Sequence, residues 1–313
     1  MTGFLARRLA LAVPTLFGVC LVVFVTAQLV PGDPAASLLG PMASPETRRQ
    51  LEERLGLDQP LPLQFVSWLS SVVQGDLGTS IQQQLPVRSL VWEAFGNTLL
   101  LAGAGGIVAV GAGVAIGTVT ALYRRRPAGR LGSAASILAM SAPQYSVALL
   151  LVAVFSVGLG VLPAGGMTTI GGGGPVDLLR HIVLPALAVA AIPAGITARL
   201  FQTVLTDVMN SDFVDGMRGR GLPEPTVVRH AVYAALPSLL TIAGLQLAYL
   251  IGGVVFVETI FSWPGIGGIL YQAIAARDLP VIQGGVLFVA FAFVLINIVV
   301  DGAHAAIDPR VRR

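Results

Sequence analysis

Residues 207–237 read DVMNSDFVDGMRGRGLPEPTVVRHAVYAALP, the longest polar interruption in the C-terminal half of an otherwise apolar chain. The stretch carries Arg218, Arg220 and Arg229, glycines at 216, 219 and 221, and prolines at 223 and 225. Apolar runs long enough to cross a bilayer flank it, His181–Leu205 before and Ser238–Val257 after. Read this way, it is a structured loop on one membrane face, placed to touch something else. Within it, residues 212–222 are long enough for about two helical turns at 3.6 residues per turn. Asp212 and Asp215 favour the helix start and Arg218 and Arg220 its end, as the helix dipole requires. Gly219 and Gly221 then stop it.

Composition sets the class. Of 313 residues, 55% are hydrophobic and 11% charged, against about 25% charged in a soluble domain. Such a chain cannot cover itself with polar surface, so it belongs in a membrane. All 19 basic residues are Arg and none is Lys. A P-loop needs Lys on the nucleotide phosphates, and Schiff-base catalysis needs a Lys amine; both are excluded. The net charge of +3 is no nucleic-acid footprint, because the arginines sit at span ends rather than on one basic face. Cys20 is the single cysteine, which rules out an internal disulfide and a cysteine-based zinc site. The three histidines are scattered and form no metalloprotease motif. The expected absences are therefore a catalytic residue, a metal site and a cofactor of the chain's own.

Six apolar runs predict about six spans and an all-α membrane fold: 9–30, 97–123, 131–159, 181–205, 238–257 and 280–303. The first is 22 residues long, longer than the apolar part of a cleaved leader, and reads as an uncleaved span. Residues 31–95 hold seven acids and read as a small helical subdomain. In it, Ser44-Pro45-Glu46 opens a short helix ending near Gly56. Phe65, Trp68, Leu69 and Val72 share one face of a second helix. Gly113 and Gly117 form a small-residue pair suited to close helix packing. The Gly-rich stretch 165–174 reads as too flexible to join a core.

Twelve arginines fall in residues 1–8, 124–130, 207–230 and 309–313, and six on the opposite faces. The positive-inside rule then puts both termini and the loop 207–237 in the cytoplasm and 31–95 outside. The expected organisation is a cytoplasmic tip and first span (1–30), the outer subdomain (31–95), a core of five spans (96–305) and a cytoplasmic tail (306–313). Ionisable groups inside spans are few, and the two halves show no repeat. Both observations weigh against a stand-alone secondary carrier driven by an ion gradient, the main alternative. Asn97, Gln144 and Gln246 are polar residues in or near spans and are candidates to line a translocation path, although each is equally suited to bonding a neighbouring helix.

Four stretches, in this order and topology, resemble the permease subunits of ABC importers of the dipeptide/oligopeptide/nickel group. The first is Pro31-Gly32-Asp33-Pro34 with residues 55–60 and 75–80. The second is 181–187 (HIVLPAL). The third is 212–222 with Arg229-His230-Ala231. The fourth is 258–267 (ETIFSWPGIG) with Asp308-Pro309-Arg310. The likeness covers nearly the whole chain and is strongest to the first permease of a dipeptide or oligopeptide importer. It implies a type I importer permease fold in the plasma or inner membrane and a heterodimer with a second permease chain. It also implies two ATPase subunits that bind ATP and Mg, and an extracytoplasmic solute-binding protein. The coupling role falls on Asp212, Phe213, Asp215, Gly216, Met217, Arg218, Gly219, Arg220, Gly221 and Leu222. The chain departs from the group in having Asp215, Gly216, Met217, Gly219 and Arg220 where Arg, Thr, Ala, Ala and Lys are usual, and each glycine loosens a helix by roughly 1 kcal/mol relative to alanine.

Overall fold

The computed structural model describes residues 2–29, 46, 59–169 and 171–307. The expected turn at 31–34 and the tail 308–313 lie outside the described residues, as does the expected helix 44–56 apart from Glu46. The order of elements is α1 (Thr2–Leu29), α2 (Leu61–Val73), α3 (Val87–Leu122), α4 (Pro127–Ser141), α5 (Gln144–Leu151) with a π-helical continuation (Val152–Gly158), α6 (Pro175–Met209), α7 (Asp212–Gly219), α8 (Glu224–Ile260), α9 (Ile266–Ala276) and α10 (Leu279–Ile307). Among the described residues no strand forms, and one isolated bridge joins Thr79 to Pro86.

Each of the six apolar runs lies on one of the long helices or on the α4–α5 pair. Among the described residues four helices are long and apolar enough to cross a membrane, and α4 with α5 makes a fifth if that bent pair is one span. The third run is bent where a straight span was expected. It breaks at Ala142-Pro143, and its two arms meet at 109°. Proline disfavours helix in the residue before it, and Ala142 adopts an extended conformation with ψ 126°. Pro185 and Pro193, in contrast, are absorbed inside α6, and Pro237 inside α8.

The chain forms two compact units, residues 1–95 with 269–298, and 96–268 with 299–313. In the first, α2 folds back along α1. Phe65, Trp68, Leu69 and Val72 pack with Cys20 and Val23 of α1 and with Leu287. Phe65 meets Phe24 edge-on at 5.3 Å and Phe17 at 5.8 Å. The expected face of α2 is the one used, and Cys20 is a packing residue within it. Asp278, buried, accepts bonds from Ser80 Oγ (2.5 Å), the Ile81 amide (3.2 Å) and the Gln82 amide (3.2 Å). That carboxylate ties the turn after Gly78 to the start of α10.

The second unit is built around α6. Its small residues let neighbours approach closely. Gly113 and Gly117 of α3 lie against Thr197 and the Ala198 carbonyl, and Gly195 of α6 lies against Ser136 and Met140 of α4. The small-residue pair on α3 is therefore helix packing. The glycine-rich loop differs from expectation at its start. The Gly166 amide donates to the Phe261 carbonyl at 2.7 Å, and Leu162 and Met167 pack against the core. Gly165 is pressed so closely on Phe261 that no side chain fits. Glycine here permits close approach of two backbones, and flexibility is not its use.

Candidate functional site

The loop between α6 and α8 forms a short, fully defined helix. The first turn of α7 carries Asp212 and Asp215 and its last turn Arg218, matching the dipole. The Ser211 hydroxyl, at the N-cap position, bonds back to the Val208 carbonyl at 2.6 Å. The helix ends in a Schellman arrangement. Gly221 has φ +76°, its amide reaches the Arg218 carbonyl at 2.9 Å, and the Leu222 amide reaches the Met217 carbonyl at 3.3 Å. Gly221 is thus the stop, and Gly219 is still helical. Pro223 and Pro225 then start α8.

One face of α7 is rooted. Val214 is fully buried in a cluster with Phe201 and Leu205 of α6 and Val227, Ala231, Ala235 and Leu239 of α8, and Met217 and Leu222 pack beside it. The opposite face is open. Phe213 is 52% exposed, and nothing lies within 4 Å of where a side chain would start at Gly216 or Gly219. Arg218 bridges to Glu224 at the start of α8 through two bonds, 3.3 and 2.6 Å, and lies 3.8 Å from Asp215. The Arg218 hydrogen bond holds the Glu224 carboxyl below its ordinary range. A pair this exposed adds little stability. Its geometric effect is to fix the angle at which α7 leaves the bundle. No ion pair involves Arg220 among the described residues.

The glycines of α7 make separable predictions. Gly216→Ala and Gly219→Ala meet no neighbour and should stabilise α7 by about 0.5–1 kcal/mol each. Gly221→Ala places a side chain at positive φ and should destabilise by about 1 kcal/mol. Hydrogen exchange of the 212–222 amides reads both, and equal protection in all three variants would contradict the capping geometry.

The three path candidates are not gathered into one place. Asn97 donates its amide to the Pro264 carbonyl at 2.9 Å, and its own carbonyl accepts the Trp263 indole N–H at 2.9 Å. Gln144 opens α5 at the break and rests on Gly253 of α8. Gln246 is buried on α8 with its Oε1 unpartnered. It lies seven residues before Gly253 and so on the same helical face.

Glu258, two residues before the end of α8, is fully buried. Thr98 Oγ1 donates to it at 2.6 Å, and the Gly267 amide donates at 2.7 Å. Thr98 in turn accepts the Ile266 amide at 2.9 Å. The carboxylate thereby caps the N-terminus of α9 and fixes it to α3 and α8. Gly265 and Gly267 leave no space for a side chain beside it. The available signal was an acid followed closely by Pro264-Gly265-Ile266-Gly267-Gly268, a turn sequence that frees backbone amides next to it. Among the described residues no group of His, Cys, Asp or Glu could hold a metal ion.

Fold and site together define an all-helical, multi-pass membrane protein that presents a rooted short helix on a connecting loop. Residues 113–313 match the family described as binding-protein-dependent transport system inner membrane component, and residues 1–102 match its N-terminal companion. The chain is 38% identical over all 313 residues to the glutathione transport system permease protein GsiC of Salmonella paratyphi A, spanning 100% of this chain and 99% of that one. It is 37% identical to GsiC of Escherichia coli K12 with the same coverage. A chain of the inward-facing MetNI methionine ABC transporter aligns with TM-score 0.49 at 19% identity, covering 70% of this chain and 94% of that one. The chain belongs to the binding-protein-dependent transport system inner membrane component family. It is a multi-pass inner-membrane permease subunit of an ATP-driven importer.

Proposed function

We propose that this permease imports di- or oligopeptides, or a peptide-like solute such as glutathione, and that α7 is where it meets the ATPase. It pairs with a second permease chain and two ATPase subunits, and receives substrate from an extracytoplasmic solute-binding protein. ATP and Mg are held by the ATPase subunits, and hydrolysis occurs there. Both termini and residues 207–237 face the cytoplasm, and residues 31–95 face outward. The observation that carries the coupling assignment is the two-faced α7. Val214, Met217 and Leu222 bind it to the bundle, while Phe213, Gly216, Gly219 and Arg220 are left open. A flat glycine-lined face with one protruding aromatic ring fits a groove in a partner. Closure of the ATPase pair pushes on α7, and the buried root passes the force to α6 and α8. Gln144 and Gln246 line the path beside the break between α4 and α5. The substrate class is supported by the GsiC likeness along the whole chain.

The direct test is crosslinking. Phe213→Cys, in a Cys20→Ala background, should form a disulfide or short crosslink to a cysteine placed in the co-expressed ATPase. A transport-competent complex in which no position along the ATPase groove crosslinks would remove the assignment.

A further inference from the structure

We propose that the corner between α3 and α4 is a binding site for the headgroup of an anionic phospholipid. Arg124, Arg125, Arg126 and Arg130 fall within seven residues and are all exposed. None makes an ion pair among the described residues, and the sequence contains no acid between Glu93 and Asp177. Four unneutralised cations therefore share one corner, and their mutual repulsion is relieved only by an outside anion.

The corner is rigid. The Arg126 amide donates to the Tyr123 carbonyl at 2.8 Å, and the Gly129 and Arg130 amides donate to the Arg126 carbonyl at 3.1 and 3.3 Å. Gly129 is buried against the Tyr123 carbonyl, too close for any side chain, and Gly132 sits against Thr120 of α3. The Arg126 guanidinium lies over the Tyr123 ring, 5.5 Å from its centre, which holds one of the cations in place.

What selects a lipid over a soluble anion is the surface next to the cations. Leu131 and Leu138 of α4 are 70% and 69% exposed. With Ala134 and Ala135, also exposed, they repeat at helical spacing and form one apolar strip beginning at the residue after Arg130. Tyr123, also exposed, marks the interface at the end of the α3 span. Charge at the corner and acyl-compatible surface along α4 match a phospholipid end to end. Recognition of anionic headgroups by arginine clusters at span ends follows the same electrostatics.

The test uses the full-length chain in detergent, titrated with phosphatidylglycerol or phosphatidylcholine and read by native mass spectrometry. Wild type should retain phosphatidylglycerol in preference, and excess inorganic phosphate should not displace it. Arg→Gln at 124, 125, 126 and 130 should weaken binding about fivefold for each charge removed. The corresponding Arg→Lys set, which keeps the charge that orients the chain, should retain the lipid. Leu131→Ser with Leu138→Ser should weaken phosphatidylglycerol binding, and Arg88→Gln should leave it unchanged. Equal retention of both lipids, displacement by phosphate, wild-type binding by the four-fold Gln variant or the paired Ser variant, or an equal loss with Arg88→Gln would each overturn the proposal.

Discussion

Val214→Asp is expected to reduce uptake more than about tenfold while the chain still inserts in the membrane. Val214 is fully buried among residues of α6 and α8. An unpaired carboxylate placed there costs several kcal/mol, and each 1.4 kcal/mol is tenfold in an equilibrium. The cheapest relief is for α7 to leave its seat. A helix of eight residues has no stability without its packed face, and Gly216 and Gly219 weaken it further. The α6–α8 packing below it stays in place, because Phe201, Leu205, Val227 and Ala231 remain apolar and buried. The variant should therefore be present in membranes at near-normal amount, with co-purified ATPase lost. Val214→Ala keeps the face apolar and should lose far less. Full uptake by Val214→Asp would show that the seating of α7 is unimportant for transport.

The second large effect is expected at the buried carboxylate. Glu258→Ala should destabilise the protein by about 3 kcal/mol or more, because it orphans the Thr98 hydroxyl and the Gly267 amide and leaves a cavity. Glu258→Gln should cost much less. Its Oε1 still accepts from Gly267, and its amide can donate to a free lone pair on Thr98 Oγ1. Gly267→Ala should resemble the Ala variant, since the added carbon would sit 2.7 Å from the Val255 Cα. The midpoint of thermal unfolding in detergent ranks the three. A Glu258→Ala midpoint equal to wild type, or a Gln variant as damaged as the Ala variant, would contradict the capping role.

These two sites differ in how visible they were beforehand. Helix α7 was legible because its determinants are local. Acids lead, a cation follows and a glycine stops the turn, all within about ten residues of Asp212. The one adjustment was that Gly219 lies inside the helix and Gly221 alone takes the positive φ. The Glu258 knot was not legible. Its partner Thr98 lies 160 residues away, and one sequence offers no means of pairing a threonine in one span with an acid at the end of another. Asn97 illustrates the same limit. A polar residue in a span has two readings, and the bonds of Asn97 to the Pro264 carbonyl and the Trp263 indole could not be read from one sequence.

By itself the sequence determined the membrane class, the six apolar runs, the amphipathic face of α2 and the presence and polarity of α7. These follow from composition, periodicity and capping, all of which act over a few residues. Only the tertiary structure decided that the third run bends through 109° at Ala142-Pro143. It also decided that the glycine-rich loop is held at Phe261, and that Asp278 and Glu258 serve as buried anchors for backbone amides. The physical reason is common to these cases. Proline permits either a kink or a break, glycine either freedom or close approach, and a carboxylate either exposure or capping. Which of the two occurs depends on what packs against the residue from a distant part of the chain.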